Sequence, residues 1–302
     1  MLALLVGGAI LLGGALWLRR GARRIERASD ARFPRGSAGV VVGAETIDLP
    51  IGTAGAPAVL LLHGGGDTPQ TLRYLAGFLH ARGYAVRAPL LPGHGRTLRD
   101  FARVSASGWT EAARAEYGVL REQHDWVAIV GLSMGGALAV QLAAESVELP
   151  ALGLLAPYLS MPPSIAFAAR FARLWGLIVP YVSAGVSAAR PSIQDEQERI
   201  QSLSYGVFAA RALRALRETV RRADAALPRV AAPTLMIQSR QDNRISERNG
   251  QRAFDRLGAS EKRLVWTEGA GHVITVDRGR EHVFELVREW LDTHRQRRQA
   301  IA

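Results

Sequence analysis

The sequence predicts an α/β fold in which helices cover both faces of a mostly parallel sheet. Three observations predict it. Apolar, strand-like runs alternate with helical patterns between residues 57 and 157. This alternation stops over residues 158–227 and then returns, which indicates an insertion between two halves of one sheet. The chain has 302 residues, of which 48% are hydrophobic, enough for one large core.

The first 18 residues, MLALLVGGAILLGGALWL, carry no charge. As a helix they span about 27 Å, close to the ~30 Å thickness of a bilayer core, and therefore predict an N-terminal transmembrane helix. Five arginines follow, at positions 19, 20, 23, 24 and 27. By the positive-inside rule, this cluster predicts a single-pass protein with its catalytic domain in the cytoplasm. Export after cleavage near Gly13-Gly14-Ala15 is the first alternative, and a buried core helix is the second.

A basic linker is expected over residues 19–37, and the folded domain over residues 38–302. Of the net charge of +11, the N-terminal cluster and the C-terminal tail contribute +5, and the body of the chain carries the other +6. No zinc-ligand spacing or basic stripe with interleaved aromatics accompanies it, so no nucleic-acid partner is expected. The chain contains no cysteine, which excludes disulfides and a thiol nucleophile.

The elements of the domain follow from apolar periodicity. GVVVGAETIDLPIG, from Gly39, is typical of an opening hairpin. The predicted strands after it are PAVLLL, YAVRA, WVAIV, ALGLLA, PTLMIQ and KRLVW. The predicted helices are TLRYLAGFLHARG, WTEAARAEYGVLREQ, GGALAVQLAAES, ERNGQRAFDRL and REHVFELVREWLDTH.

One serine lies at the junction of a predicted strand and a predicted helix. Gly131-Leu132-Ser133-Met134-Gly135 fits G-x-S-x-G, the pattern of a nucleophile elbow. Glycine on both sides relieves the crowding that a strained positive-φ serine creates. A glycine-rich turn with an incidental serine is the alternative, but the strand and helix on either side favour a catalytic nucleophile.

A serine nucleophile needs a histidine base, and His272 is the best candidate among the seven histidines. It lies in the loop GAGHVITVD, between the last strand and the last helix, downstream of Ser133. Four others, His80, His124, His282 and His294, lie on predicted helices, and two, His63 and His94, lie in earlier loops. A purely structural loop histidine is the alternative for His272.

The acid of the triad is expected at the carboxyl end of a strand, between the serine and the histidine. Asp242 follows the strand PTLMIQ by four residues and fits this position. A surface ion pair is the alternative role for it. Asp277 is expected to cap the last helix instead.

The tetrahedral oxyanion needs two backbone donors. HGGG, which ends the first long strand, offers one of them, and Met134 behind the serine offers the other. Gly65 is preferred to Gly66 as the first donor, although the sequence leaves this choice open. No phosphate loop, dinucleotide fingerprint or metal cluster is present, so no cofactor or metal is expected.

These elements carry a family resemblance. LLLHGGG, PLLPGHG, GLSMGG, QSRQDNRIS and GAGHVITVD occur in this order. Over about residues 40–293 the chain resembles α/β-hydrolase fold serine hydrolases, most of all bacterial carboxylesterases and monoacylglycerol lipases. The resemblance implies Ser133 as nucleophile, Asp242 as acid, His272 as base, and Gly65 and Met134 as the oxyanion pair. Two features depart from the pattern: glycine at position 65, where many relatives have a larger side chain, and the membrane anchor.

The resemblance also implies that residues 158–227 form a cap over the site. Apolar side chains in its first half are expected to hold a hydrophobic acyl chain, namely Met161, Phe167, Phe171, Leu174, Trp175, Ile178, Val179 and Tyr181. The expected function is hydrolysis of a carboxylic ester or acylglycerol through an acyl-enzyme. The alternatives are a lysophospholipase or acyltransferase on the same triad, or an inactive hydrolase fold that acts as a membrane-tethered binding module.

Overall fold

The computed structural model describes residues 2–53, 55–146, 148–183 and 191–299. Its strands are β1 (Ile47–Leu49), β2 (Ala58–Leu62), β3 (Ala85–Ala88), β4 (Val127–Leu132), β5 (Leu152–Leu155), β6 (Tyr181–Ser183), β7 (Val207–Ala209), β8 (Thr234–Ser239) and β9 (Lys262–Thr267). Its helices are α1 (Leu2–Ala31), α2 (Arg73–His80), α3 (Leu98–Phe101), α4 (Ala106–Gln123), α5 (Met134–Glu145), α6 (Pro163–Arg170), α7 (Ala172–Trp175), α8 (Glu196–Gln201), α9 (Ala210–Ala226), α10 (Glu247–Asp255) and α11 (Arg280–Gln299).

Seven strands form the central sheet in the order β1-β3-β2-β4-β5-β8-β9. Only β1 runs antiparallel to its neighbour among these strands, and the rest pair in parallel. All five residues of β2 and all six of β4 are buried, as expected for central strands covered on both faces. The sheet confirms the predicted α/β fold with mostly parallel pairing.

The core has one layer on each face of the sheet. Alternate residues of β2 belong to different layers, Leu60 to one and Leu61 to the other. The first layer packs against α4, α5 and α9, and the second against α2 and α11. Parallel strands therefore end together at one edge, where the loops after β2, β4, β8 and β9 meet.

The predicted opening hairpin is wrong. Residues 40–46 form turns, with an isolated bridge between Arg35 and Val41. The strand β1 pairs instead with β3, with Asp48 opposite Arg87. Gly43 has a φ of 88° and its N–H donates a hydrogen bond to the Glu45 carboxylate, so the backbone turns here instead of continuing as a strand. β1 then pairs at the edge of the central sheet.

The N-terminal segment differs from the predicted linker. The helix α1 continues without a break through residues 19–31, over most of the expected basic linker. Its last turns pack onto the domain, because Tyr181 donates a 2.5 Å hydrogen bond to Glu26 and the Leu98 amide donates a 3.1 Å bond to Asp30. These contacts to distant residues stabilise helical backbone where the local sequence predicts none.

Most side chains of the predicted membrane anchor, residues 1–18, lie outside the described part of the structure. Met1 and the side chains of residues 2–12, 15 and 16 lie outside the described part of the structure. Among the residues that the structure does describe, no helix is both long enough and apolar enough to cross a membrane.

The insertion over residues 158–227 lies above the carboxyl edge of the sheet. It contains α6, α7, α8 and α9 and the small antiparallel sheet of β6 and β7. The helix α9 packs along α5, the helix that follows the serine. The cap is therefore attached directly to the element that positions the nucleophile.

Candidate active site

Ser133 occupies a strained corner between β4 and α5. Its backbone has φ 54° and ψ −115°, a conformation that few non-glycine residues adopt. A Cβ at Gly131 would lie 2.3 Å from the Gly135 oxygen, and a Cβ at Gly135 would lie 2.0 Å from the Leu62 oxygen. Both positions therefore require glycine, and the sequence pattern has a direct steric cause.

The structure brings the three residues of the expected triad together. Ser133 Oγ lies 2.7 Å from His272 Nε2, and His272 Nδ1 lies 2.8 Å from Asp242 Oδ2. The Asp242 carboxylate is fully buried and the His272 ring is nearly so. This is hydrogen-bonding contact from acid to base to nucleophile, the arrangement that lets an imidazole take a proton from a serine.

The surroundings of Asp242 keep it ionised. Burial alone would raise the pKa of Asp242, but the charge and hydrogen bond of His272 and the N–H groups of Ile245 and Arg244 outweigh it. The pKa therefore lies below its ordinary value. Gln238 Nε2 also donates a 2.6 Å hydrogen bond to Oδ2, so Asp242 is held in one orientation toward the imidazole.

The His272 loop is fixed from both sides. The Gly271 N–H donates a 2.6 Å hydrogen bond to Asp277, and the Val273 N–H donates a 2.9 Å bond to the Ser192 carbonyl of the cap. A Cβ at Gly271 would lie 2.6 Å from that same Ser192 oxygen. This glycine permits close approach of two backbones rather than loop movement.

Asp277 is not the helix cap that the sequence predicts. Its buried carboxylate accepts hydrogen bonds from the amides of Gln194, Asp195, Gly271 and Arg278. It thereby joins the base of the cap to the loop that carries His272. Two of the four donors, the amides of Gln194 and Asp195, are distant in the chain, and the local pattern before α11 could not indicate them.

The oxyanion candidates lie next to the nucleophile. Met134 begins α5, so its amide is at the positive end of the helix. Gly65 and Met134 line the same cavity as Ser133, and a Cβ at Gly65 would lie 3.2 Å from Met134 Sδ. The Gly66 N–H instead donates a 3.0 Å hydrogen bond to His94 Nε2. Because the Gly66 N–H is already bonded, the geometry favours Gly65 over Gly66 as the first donor to the oxyanion.

Two buried histidines support the oxyanion loop. His63 Nε2 accepts a hydrogen bond from the Leu91 amide, and the His63 and His94 ring centroids lie 4.9 Å apart. Burial lowers the pKa of His63 to about 4, against the weaker effect of its bond to the Gly64 carbonyl. Burial and the neighbouring His63 also place the pKa of His94 well below its ordinary value. Both rings are neutral near pH 7 and act as scaffolding.

A cavity of about 620 Å³ opens above the triad. Its lining includes large apolar side chains, among them Met134, Tyr158, Ile165, Ala168, Trp175, Ile193, Phe208, Leu213, Leu216 and Val273. The lining also includes polar and charged side chains, namely Arg32, Asp67, Ser164, Ser192, Arg199, Ser202, Ser204 and Arg244. A cavity of this composition suits a ligand with an apolar part and a polar part.

Most of the residues expected to bind the acyl chain do not line the cavity. Of the eight apolar cap residues named in the sequence analysis, Trp175 lines the cavity, whereas Phe167, Leu174 and Ile178 are more than half exposed. The inward positions belong instead to Ile165, Ala168 and α9. Apolar residues occur on both faces of the cap helices, so periodicity could not distinguish the inner face from the outer one.

Asp67 is a second carboxylate in the cavity, and the sequence analysis did not identify it. Its Oδ2 lies 2.8 Å from the Cβ position of Gly64, which is itself 3.4 Å from Ser133 Cβ. Burial raises the pKa of Asp67, although the charges of His272 and Arg244 and a hydrogen bond from Ser204 act in the opposite direction. Its place directly after the HGGG turn was the only sequence signal for it.

A family model described as Serine aminopeptidase, S33 (Hydrolase_4) matches residues 55–279. The chain belongs to this family.

Individual relatives agree with that assignment. The chain is 28% identical to a thermostable monoacylglycerol lipase from Bacillus sp. (strain H-257), over 84% of this chain and 97% of that protein. It is 24% identical to a carboxylesterase from Bacillus subtilis (strain 168), over 79% and 93%. A solved structure from work on metagenome-derived lipolytic enzymes superposes with a TM-score of 0.76 at 32% identity, over 84% and 100%. These findings confirm the predicted enzyme class, a carboxylic ester hydrolase of the serine type.

Proposed function

We propose that the enzyme hydrolyses carboxylic esters that combine a hydrophobic acyl chain with a small polar alcohol, the monoacylglycerol class above all. The observation that carries the proposal is the hydrogen-bonded Ser133–His272–Asp242 array, which lies beneath a cavity lined by both apolar and polar side chains. The apolar side chains suit the acyl chain, and the polar side chains suit the hydroxyls of the alcohol. The similarity to a monoacylglycerol lipase supports the same substrate class.

The chemistry follows from the arrangement. Ser133 Oγ attacks the ester carbonyl while His272 Nε2 takes its proton, and the imidazolium is stabilised by Asp242. The amides of Gly65 and Met134 donate to the oxyanion, and the loss of either contact costs roughly 100- to 1,000-fold in turnover. His272 then protonates the departing alcohol, and a water molecule activated by the same imidazole releases the acid.

The charge of the cavity argues against a peptide substrate. An aminopeptidase has to bind a free ammonium group, which requires acceptors of negative charge. The cavity lining instead includes three guanidinium groups, at Arg32, Arg199 and Arg244, and one carboxyl group, at Asp67. The intact hydrogen-bonded triad also disfavours an inactive binding module, and the similarity to a monoacylglycerol lipase and a carboxylesterase disfavours an acyltransferase.

The triad is tested by non-additivity. S133A and H272A should each lower kcat on p-nitrophenyl butyrate by roughly 10⁴-fold or more, and the double variant should be little worse than either, because the two groups act in one step. Labelling by a fluorophosphonate probe should disappear in S133A. Losses that multiply in the double variant would assign the two residues to separate roles and contradict the mechanism.

We further propose that residues 1–18 anchor the enzyme in a membrane, with the catalytic domain on the cytoplasmic side. The uncharged run and the five arginines behind it support this topology. The full chain should stay with membranes after alkaline washing, and protease added to intact spheroplasts should leave the domain uncut. Cleavage by external protease, or a mature N-terminus near Leu16, would indicate the exported form.

A further inference from the structure

The N-terminal segment contributes a charged side chain to the catalytic cavity. Arg32, directly after the last residue of α1, belongs to the cavity lining. Its Nη1 donates a 3.2 Å hydrogen bond to the Ser204 carbonyl and lies 4.0 Å from the Cβ position of Gly206. Arg32 precedes residues 55–279, which the family model matches. The cavity therefore contains a cation that comes from outside the matched part of the chain.

Contacts on both sides of Arg32 fix its position. Two residues before it, the Asp30 carboxylate accepts a 3.1 Å hydrogen bond from the Leu98 amide. One residue after it, Phe33 packs against a small apolar cluster that contains Val40, Val41 and Ala44. The guanidinium carbon of Arg32 lies 4.7 Å from the centroid of the Phe33 ring. A side chain held in this way is suited to recognising a ligand group at a defined place.

The charge of Arg32 is not offset by an acid. Among the described residues, no carboxylate forms an ion pair with it, and its hydrogen bond goes to a neutral carbonyl. The other two guanidinium groups of the lining differ in this respect. Burial raises the pKa of Asp67, and the charge of Arg244 opposes that rise, while Arg199 lies 3.8 Å from Glu196. A guanidinium carries several N–H donors, so Arg32 has donors left for a ligand.

Ser204 connects Arg32 to the catalytic groups. Its carbonyl accepts the hydrogen bond from Arg32, and its side chain is hydrogen-bonded to Asp67. The next residue, Tyr205, donates a 3.2 Å hydrogen bond from its amide to the Gly66 carbonyl of the oxyanion loop. Arg32 is therefore joined through one short segment of the cap to the loop that holds the ester carbonyl.

Exposure indicates where in the cavity each part of an ester can lie. Of the lining residues, Arg32, Arg199 and Gly206 are exposed, whereas Leu213 and Leu216 of α9 are buried. An ionic group is least costly to place at an exposed margin, and an acyl chain gains most in the buried part. The exposed, cationic margin at Arg32 thus suits a negatively charged part of a substrate.

We propose that Arg32 binds an anionic oxygen group, a phosphate or a carboxylate, on the alcohol part of the ester. The enzyme then prefers esters of an anionic alcohol to esters of a neutral one. A guanidinium recognises either group through paired, charge-assisted hydrogen bonds. The binding of an anion by Arg32 does not depend on the proposed function, but the assignment of that anion to the alcohol part rests on it.

Calorimetry on the full chain tests the binding step without turnover. The probes are two ethers that an esterase cannot hydrolyse, 1-O-octylglycerol and its 3-phosphate. We expect the phosphate to bind roughly tenfold more tightly to the wild type, because one charge-assisted contact has about this effect. The difference should disappear in R32Q and persist in part in R32K.

R27Q is the matched control for the binding step. Arg27 is exposed on the same helix but is not among the cavity-lining residues, so R27Q removes the same charge from a nearby position. It should bind both ethers like the wild type. Equal affinity of the wild type for the two ethers, or an equal loss in R27Q and R32Q, would overturn the proposal. Inorganic phosphate that binds as tightly as the ether phosphate would indicate a site for a free anion and would also overturn it.

Kinetics test where the anion lies on the substrate. The substrates are 2-nitrophenyl butyrate, its analogue with a carboxylate on the alcohol part, 3-butyryloxy-4-nitrobenzoate, and mono-2-nitrophenyl glutarate, which has a carboxylate on the acyl part. R32Q should raise KM roughly tenfold for 3-butyryloxy-4-nitrobenzoate alone, with kcat nearly unchanged. Its wild-type kinetics on 2-nitrophenyl butyrate would show that the variant is folded.

Two kinetic results would contradict the proposal. A fall in kcat of R32Q on all three esters would mean that Arg32 only supports the cap through Ser204, and a loss confined to the glutarate ester would place the anion on the acyl part. A wild-type enzyme that hydrolyses none of the three esters would contradict the proposed function instead, while calorimetry would still decide whether Arg32 binds an anion.

Discussion

Asp67 shows how a single residue can be retained at a cost in stability. It is a partly buried carboxyl group within the cavity beside Ser133, and the opposing effects of His272, Arg244 and Ser204 do not fully compensate its burial. Asp277 is the contrasting case, a buried carboxylate whose oxygens accept four backbone N–H groups. The two differ in hydrogen bonding rather than in charge, so their removal should have opposite effects on the free energy of unfolding.

D67N should therefore stabilise the protein at alkaline pH. A carboxyl group whose folded pKa is raised contributes its stability below the unfolded pKa and loses it as the pH rises through the folded pKa. Asp67 is most ionised at alkaline pH, and D67N removes this incompletely compensated charge, so at pH 8 the Tm of D67N should be higher by roughly 2–4 °C. At pH 4 the difference should shrink, as more of the wild-type Asp67 is protonated there. Thermal unfolding at both pH values measures it.

D277N is the control for this effect, and it should lower the Tm at both pH values, because an amide cannot accept all four backbone donors. A D67N protein that is less stable than wild type at pH 8 would mean that Ser204 and Arg244 compensate the carboxylate fully. The prediction would then be wrong.

At the scale of elements, the sequence predicts what local sterics determine. The nucleophile elbow is an example: the clashes that require Gly131 and Gly135 lie within or next to the motif itself. The buried strands β2 and β4 are another, since continuous apolar runs of their length have few other conformations in a folded domain. The order along the chain, Ser133 first, then Asp242, then His272, also directs the search for the acid and the base to the loops that follow later strands.

Elements that depend on distant contacts were predicted poorly. The helical turns of α1 over residues 19–31 are stabilised by Leu98 and Tyr181, which are more than 60 residues away in the chain. The strand β1 finds its partner in β3 rather than in a neighbouring strand. The cap helices have apolar residues on both faces, so only the position of α9 decides that Trp175 faces inward and Leu174 outward.

The continuous α1 changes the expected relation between anchor and enzyme. A flexible linker would let the domain rotate freely above a membrane, whereas a helix bonded to the domain at Asp30 and Glu26 restricts it. The domain would then keep a restricted orientation relative to the proposed anchor.

For the whole molecule, two neutral histidines beneath the oxyanion loop determine how stability depends on pH. His63 and His94 are fully buried, and their rings pack edge to face, so two positive charges there would be both desolvated and close together. In the unfolded chain both rings have a pKa near 6.5. In the folded chain the pKa of His63 is about 4, and the pKa of His94 lies well below its ordinary value. Between these values the unfolded state binds more protons, so the contribution of the two histidines to the free energy of unfolding rises with pH and becomes constant above about pH 7.

Acidification from pH 6.5 to pH 4 should therefore lower the free energy of unfolding by about 3 kcal/mol through His63 alone, with a further loss through His94. Urea unfolding at a series of pH values measures the slope. H94Q should have a shallower slope over this range whatever its stability at pH 8, while H282Q, at an exposed position on α11, should have the wild-type slope.

The imidazole resonances of His63 and His94 in the folded protein should not titrate between pH 5.5 and 8. A midpoint near 6.5 for both rings, together with an unchanged slope in H94Q, would show that burial does not hold them neutral, and the proposed support of the oxyanion loop by uncharged histidines would then be wrong.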